Sequence, residues 1–516
     1  MKRKSVSVLL SLVLVISSVL AGCASKDKEK PAASSSSSPS ESKAAESKAP
    51  ESEGPTKITI MLPLNIAETP PDTVKKEIER LTNTELTYQF FPADTYEEKL
   101  NASFATGSLP QVTYLKNQAT FLLLKDAIRD GQFWEIGPYL SEFKNLSKLK
   151  EFTLNNTKVD GKLYTLYIGR PLARQGIIYR KDWADKLGLK APETVDELLE
   201  MAKQFTLNDP DGDKKANTVG LADRNDLVYG AFKTVASWFG TPNNWGEQDG
   251  QLLPEFMFQE YIDSMDYLKK FRDGGFMNKD FAATSKTDQV SLFTSGNAGM
   301  YIGAMSDVNA LQKDLVKNVP DAVVDTLALI KGPSGQATSW SIPGYNNVLV
   351  FPKSAVKDEA ELKKILAFYD KVMTPEVANT LFWGIEGVHY EVVDGKAKET
   401  DNKDKIEREV KGFKDSLIGE PETNGQLEPY HTLEARIHAE EFTIENAKIA
   451  IADPAAALDS PTYTAQGVQL QDIIKDATYK YIYGSIDVAG FKKMVDNWKS
   501  RGGQKIIDEI NAAAKK

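Results

Sequence analysis

The oxygen-bearing residues between Asp209 and Asn217 are the part of the sequence best equipped for binding chemistry. Along Asp209-Pro210-Asp211-Gly212-Asp213-Lys214-Lys215-Ala216-Asn217, donors recur at every second position. The side chains of Asp209, Asp211, Asp213 and Asn217, with the backbone carbonyl of Lys215, can converge on one hard cation, as in the front half of an EF-hand calcium loop. Two positions depart from that loop. Lys214 stands where the sharp turn takes Gly, and Gly220 stands where a bidentate Glu completes the coordination. No second helix obviously follows. The pattern predicts a structural calcium ion, with an Asp/Gly-rich surface turn as the plainer alternative. The chain's three histidines, His389, His431 and His438, form no H-E-x-x-H pair, so a zinc hydrolase is not expected.

Cys23 is the other reactive group, and the only cysteine among 516 residues. Lys2, Arg3 and Lys4 precede an apolar run that ends at Leu20-Ala21-Gly22-Cys23. The run is short for a spanning helix and reads as a secretory signal, residues 1–22. Its end resembles the lipobox of bacterial lipoproteins, in which cleavage precedes a cysteine that takes a diacylglycerol. Loss of three cations would carry the formal charge from −10 to −13. Residues 23–56 are the lipidated cysteine and a Ser/Ala/Glu/Lys tether with no aliphatic larger than Ala, too polar to fold. The body is therefore expected outside the cytoplasm, lipid-anchored at a membrane.

The elements that must carry these groups follow from hydrophobic spacing. Residues 57–62 read as a strand, and Val74, Ile78 and Leu81 share one face of a helix over 72–81. A second strand over 86–91 and a helix over 96–104 follow, a short alternation that predicts an α/β sheet with right-handed crossovers. Further on, 176–179 reads as a strand, and Thr194 with Glu197 as a capping box opening a helix through Phe205. Helices are predicted over 261–271 and 359–372, with mostly helix beyond 433. The acidic body has no basic block, which argues against nucleic acid as a partner.

Five stretches, in the same order as here, resemble carbohydrate ABC-importer binding proteins, the family 1 solute-binding proteins. They are Tyr96-Glu97-Glu98-Lys99-Leu100-Asn101 leading to Gly107-Ser108-Leu109-Pro110, Ile178-Tyr179-Arg180-Lys181-Asp182-Trp183 with Leu187-Gly188-Leu189, the Asp209 loop with Gly220-Leu221, Phe293-Thr294-Ser295-Gly296, and Gly384-Ile385-Glu386-Gly387-Val388-His389-Tyr390. The calcium-like loop has the spacing of members similar to the alginate-binding proteins. Asn83 replaces a usual Gly, and Gln111 a usual Asp where a strand is expected to enter the cleft. The resemblance implies an α/β, two-lobed periplasmic-binding-protein-like fold of type II, closing on ligand about a hinge. By analogy one lobe takes 57–170 plus 345–410, and the other 171–340 plus 415–516.

A sugar cleft needs aromatic platforms and planar polar groups. Trp238 and Trp245 flank the polar turn 240–244, Trp340 precedes the expected second crossover, and Trp383 adjoins the Gly384 motif. For these four, core packing is the ordinary alternative. Glu386 and His389 are further candidates, against a purely structural hydrogen bond. Arg170 and Arg174 flank Pro171 at the first crossover and could grip hydroxyls or a uronate carboxylate, or else form a hinge salt bridge. Asn117 and Gln118 follow the strand after Pro110. Trp183, on the run that packs a helix onto the sheet, is expected in the core, and Trp134 and Trp498 have no argument for the cleft.

These readings predict a monomeric, lipid-anchored, non-enzymatic subunit that captures an oligosaccharide and delivers it to an ABC permease. Two alternatives stay open from sequence. A secreted glycoside hydrolase needs only two well-spaced carboxylates among 73 acidic residues, and a sensor docking a membrane receptor would share the fold.

Overall fold

The computed structural model describes residues 54–515. The signal segment, Cys23 and the tether as far as residue 53 lie outside the described residues. The strand Thr56–Leu64 follows from TKITIMLPL, in which Ile58, Ile60, Met61 and Leu62 are all buried, the mark of a strand covered on both faces. The helix Asp72–Thr82 sets Val74 and Ile78 on that core. It ends at Asn83, whose φ of 54° is left-handed. Asn tolerates that conformation better than any residue but Gly, so the exchange at this position preserves the cap. The strand Thr84–Pro92 then lies parallel to Thr56–Leu64.

Five strands form the first sheet, in the order Thr84–Pro92, Thr56–Leu64, Val112–Leu115, Tyr345–Val350, Thr165–Gly169. Tyr345–Val350 is antiparallel to both of its neighbours, whereas Thr56–Leu64 is parallel to both of its own. The second sheet has the order Val324–Leu327, Gln175–Arg180, Ala298–Ala304, Val219–Ala222. Its first three strands alternate in direction and the last pair is parallel.

Each sheet has its own apolar core. The first draws on residues within 58–167 and 345–418. The second, with a smaller cluster beside it, draws on residues within 177–330 and 435–510. Trp183 is buried in the second core, edge-on to Phe205 at 5.5 Å. Its other face meets Arg180, whose guanidinium lies 4.4 Å from the ring and forks onto Asp182 at 2.8 and 2.6 Å. The Arg180-Lys181-Asp182-Trp183 run is thus a packing unit. The helix Val195–Leu207 opens with the capping box, Thr194 Oγ1 accepting from Glu197 N–H and Glu197 Oε2 from Thr194 N–H.

Three segments, 170–174, 341–344 and 419–433, carry the chain between the cores, and they are bonded to one another near their starts. Gly169 N–H donates to Gly419 O at 3.0 Å, Arg170 N–H to Gly344 O at 2.9 Å, and Ile342 N–H to Leu172 O at 2.8 Å. A Cβ on Gly169 would stand 2.5 Å from the Gly419 oxygen, so this crossing admits only glycine.

Candidate ligand-binding cleft

The crossovers leave one edge of each sheet. On the first sheet this edge holds the C-terminal ends of Thr56–Leu64, Val112–Leu115 and Thr165–Gly169 and the start of Tyr345–Val350. The residues just beyond the first three are Asn65, Lys116 and Arg170, and Asn346 is the second residue of the fourth; all are polar. In α/β sheets, ligands sit beyond the carboxyl ends of strands. Beneath them Asn347 Nδ2 donates to Lys116 O at 2.6 Å and to the Tyr114 hydroxyl, while Asn65 Nδ2 reaches Asp415 Oδ2 at 3.5 Å. Burial raises the Asp415 carboxyl pKa, against the lowering pull of Tyr114 and Arg170. Arg170 itself is exposed.

The edge of the second sheet beside the crossovers carries Arg174 and Gln175, then Asp223 and Arg224 after Val219–Ala222. Arg224 is buried and held by Tyr229 O at 2.6 Å and Gln289 Oε1 at 3.2 Å. Asp223 Oδ1 accepts the Ala231 N–H at 2.9 Å, and burial pushes its pKa up to about 6. Tyr229 is 46% exposed and lies 6.1 Å from the ring of Trp340, which is itself 4% exposed and donates to Thr234 Oγ1 at 3.2 Å. Lys233 Nζ stands 5.8 Å from the same ring, fixed by Asn244 Oδ1 at 2.6 Å and Glu255 Oε2 at 2.7 Å.

The structure brings some predicted residues together here and disperses others. Arg170, Arg174 and Trp340 converge on the first two crossovers. Asn243, from the polar turn, donates to Ser341 O at 2.7 Å and Ile451 O at 2.9 Å, which places that turn against the second crossover. Trp238 is buried in the second core, and Trp245 is half-buried against it at the start of a short hairpin. Trp383 is buried in a separate cluster with Tyr390 and Ala397 and donates to Leu427 O at 3.0 Å. His389 is 0% exposed. Its Nδ1 accepts the Ile385 N–H at 3.0 Å and its Nε2 meets Glu409 Oε2 at 3.2 Å, which leaves it no surface for a ligand. Gly384, at φ +89°, makes room for that ring, since a Cβ there would lie 2.7 Å from it. Glu386 is exposed at this turn.

Asn117 caps the helix Gln118–Arg129, accepting from Thr120 N–H at 2.8 Å and donating to Glu97 Oε1 at 2.8 Å. The side chain of Gln118 lies outside the described residues. Gln111, expected to touch the cleft, sits at the opposite end of its strand. There it accepts from Thr59 N–H at 2.8 Å and donates to Glu361 Oε1 at 2.6 Å. Its amide can both accept and donate, which a carboxylate cannot, and that bridges sheet to helix. Tyr229 and Asp415 were not singled out from sequence: neither belongs to a recognisable spacing, and only the strand order places them at the edge.

The acidic loop lies at the far end of the second sheet, leading into the start of Val219–Ala222. Carboxylate oxygens of Asp209, Asp211 and Asp213 lie within 4.8 Å of one another. Burial, and the neighbouring carboxylates, raise the Asp211 pKa. Lys215 Nζ and Asn217 Nδ2 both approach Asp213 Oδ2, at 3.1 and 3.0 Å, and lower the Asp213 pKa. The all-oxygen donor set fits a hard cation. Gly220 packs where a Cβ would lie 2.4 Å from Ala202 O, so no Glu could occupy that position.

Residues 67–379 match the family described as bacterial extracellular solute-binding protein. The chain belongs to this family. As a family 1 solute-binding protein with the α/β, periplasmic-binding-protein-like fold, it is 43% identical over 512 residues to the polygalacturonan/rhamnogalacturonan-binding protein YtcQ of Bacillus subtilis, covering 98% of each chain. It is 33% identical over 463 residues to the lipoprotein LipO of the same organism, covering 88% of this chain and 91% of that one. Among solved structures, a solute-binding protein of Bifidobacterium longum infantis described as HMO-binding aligns with a TM-score of 0.69 at 16% identity, over 90% of this solute-binding protein and 99% of the other. Among the described residues no helix is long and apolar enough to cross a membrane.

Proposed function

We propose that the chain is the substrate-binding subunit of a sugar ABC importer, anchored through Cys23, that captures a uronate-containing oligosaccharide between the two sheet edges and delivers it to the permease. The observation that carries this reading is the 43% identity, across 98% of both chains, to a relative described as polygalacturonan/rhamnogalacturonan-binding. Arg170 and Arg174 support it. Arg170 is exposed, and the Nε of Arg174 is buried without a hydrogen-bond partner among the described residues. Two guanidinium groups beside the crossovers suit carboxylates spaced along a polyuronate. Tyr229 backed by Trp340 supplies a face for stacking on a sugar ring, and Asp415, Asn65 and Asn346 supply donors and acceptors for hydroxyls.

Calcium belongs to the same reading. Asp209, Asp211 and Asp213, with the Lys215 carbonyl and Asn217, would hold the ion and relieve the repulsion among their carboxylates. Two solved relatives of this fold carry descriptions in the same sense, an alginate-binding protein, AlgQ2, solved without calcium ion, and an EF-hand mutant of the Streptococcus pneumoniae protein FusA.

The test is calorimetric titration of the chain from Ala24 onward with tri- and tetragalacturonate, rhamnogalacturonan fragments and neutral oligosaccharides of equal length, with chromatography of the mixture afterwards. Binding of the acidic glycans alone, with no product formed, is expected. Preference for a neutral glycan would refute the uronate reading, and product formation would refute the binder.

A further inference from the structure

Away from the crossovers, one cluster of charged side chains joins the two cores. The helix Gln118–Arg129 packs Phe121, Leu124 and Ile128 into the first core. The segment before the helix Pro461–Ile482 belongs to the second, through Ala455 and Leu458. That segment is fastened to its own side by Glu509, whose Oε2 accepts from Ser460 Oγ at 2.5 Å and Thr462 N–H at 3.0 Å. Asp459, next to this anchor, reaches across to the first core. Its Oδ1 takes Lys125 Nζ at 2.5 Å and its Oδ2 takes the Arg129 guanidinium. Lys125 and Arg129 are one turn apart on the helix, so a single carboxylate spans both. Arg129 is aimed from its own side by Asp126 at 3.0 Å and Asp160 at 3.1 Å. The Lys125 side chain is 6% exposed, with its ammonium 5.7 Å from the Phe121 ring. An ammonium that deeply covered requires its counter-charge.

We propose that Asp459 is a positioning residue that holds the two lobes in the arrangement described before any ligand arrives, and thereby sets the affinity of the cleft. Lobes turning about bonded crossovers pull this contact apart. A ligand that touches both sheet edges binds the arrangement that brings them together, and its apparent affinity falls with the fraction of molecules in that arrangement. Without the Asp459 carboxylate, Lys125 is buried unpaired in that arrangement and hydrated when the lobes part, so the balance moves toward separation. The affinity arm rests on the cleft being the ligand site. The lobe-separation arm does not.

The experiment uses the chain from Ala24 onward, which lacks Cys23 and so accepts spin labels at Glu98→Cys and Lys492→Cys, exposed positions in the helices Tyr96–Ala105 and Val488–Trp498. Distances between the labels are measured by pulsed electron resonance without ligand, in the parent, in Asp459→Asn and in Asp459→Glu. Asp459→Asn is expected to lengthen and broaden the distance distribution and weaken trigalacturonate binding at least about tenfold, the scale for breaking a covered ion pair. Its melting temperature should stay near the parent's, and Asp459→Glu should recover both readouts. Molar salt should act on the more exposed Arg129 bond alone, shifting the parent only part of the way toward the Asn variant. Unchanged distances in Asp459→Asn, or tighter binding by it, would overturn the proposal. If Asp459→Asn fails to fold, Arg129→Gln, which removes one of the two bonds Asp459 makes across the lobes, is expected to lengthen the distances by a smaller amount, and unchanged distances in it would overturn the proposal. If trigalacturonate binds none of the proteins, the cleft reading fails while the distances still decide the role of Asp459.

Discussion

Calcium and the single substitution Asp211→Asn give a test whose size can be worked out beforehand. The carboxylates of Asp209, Asp211 and Asp213 converge within 4.8 Å, and Asp211 is held above the usual carboxylate range by burial and by those neighbours. Without a cation, neutralising Asp211 removes repulsion, so the variant in chelator should melt at or slightly above the parent. With calcium at a hundredfold excess over its Kd, the parent gains about 2.7 kcal/mol. An unfolding entropy of about 2.1 cal/mol/K per residue over roughly 460 residues is about 1 kcal/mol/K, so the melting temperature rises by about 3 °C. If the second lobe melts independently, the rise is about twice that. Asp211→Asn removes one ligand, and a tenfold weaker Kd at the same calcium leaves a gain of about 1.4 kcal/mol, half the shift. Acid acts in the same direction: a carboxyl with a raised pKa must lose its proton to take calcium, so the shift shrinks as pH falls through that pKa. Scanning calorimetry in calcium, magnesium and chelator reads all of this. Equal melting in calcium and chelator, or a full shift retained by Asp211→Asn, would refute the argument.

Arg170→Ala should weaken galacturonate oligosaccharides about 10- to 100-fold, the range for a charge-assisted hydrogen bond, and leave neutral glycans unaffected by titration calorimetry. Tyr229→Ala should cost about 1 kcal/mol of binding, roughly fivefold in Kd, with little change in melting because the ring is 46% exposed. Asp223 gives a pH signature through its carboxyl at about 6. An unfolded Asp titrates near 4, so its contribution to stability is fully present below about pH 4 and lost as pH rises through 6. Asp223→Asn can still accept the Ala231 N–H, and the parent-minus-variant difference in urea midpoint should therefore fall between pH 4 and 6.5. A flat or rising difference would refute the burial argument.

The local elements were largely legible in the sequence. The hydrophobic period of 72–81 and the Thr194/Glu197 box depend on neighbours in the chain, and the structure has helices at Asp72–Thr82 and Val195–Leu207. The cleft was legible only in part. Arg170, Arg174 and Trp340 are marked by their proximity to the crossovers, but Tyr229 and Asp415 reach the sheet edges through pairings far apart in the chain, which no short window contains. His389 and Trp383 show the converse. Their motif is distinctive because a buried ring, a left-handed Gly384 and the acceptor Glu409 must fit together, and a tight packing requirement leaves as clear a trace in sequence as a binding role.

The strand Tyr345–Val350 lies inside the first sheet, between Val112–Leu115 and Thr165–Gly169. During synthesis the ribosome makes those two neighbours long before the strand that separates them. About 175 residues intervene, which at about 5–20 residues per second is roughly 10–35 s of chain elongation. Throughout that interval the nascent protein carries two unpaired strand edges and an unfilled slot, the geometry that invites wrong pairing or association with other chains. Export in an unfolded state, with folding deferred until the whole sequence has crossed the membrane, would let the inner strand and its neighbours find one another together.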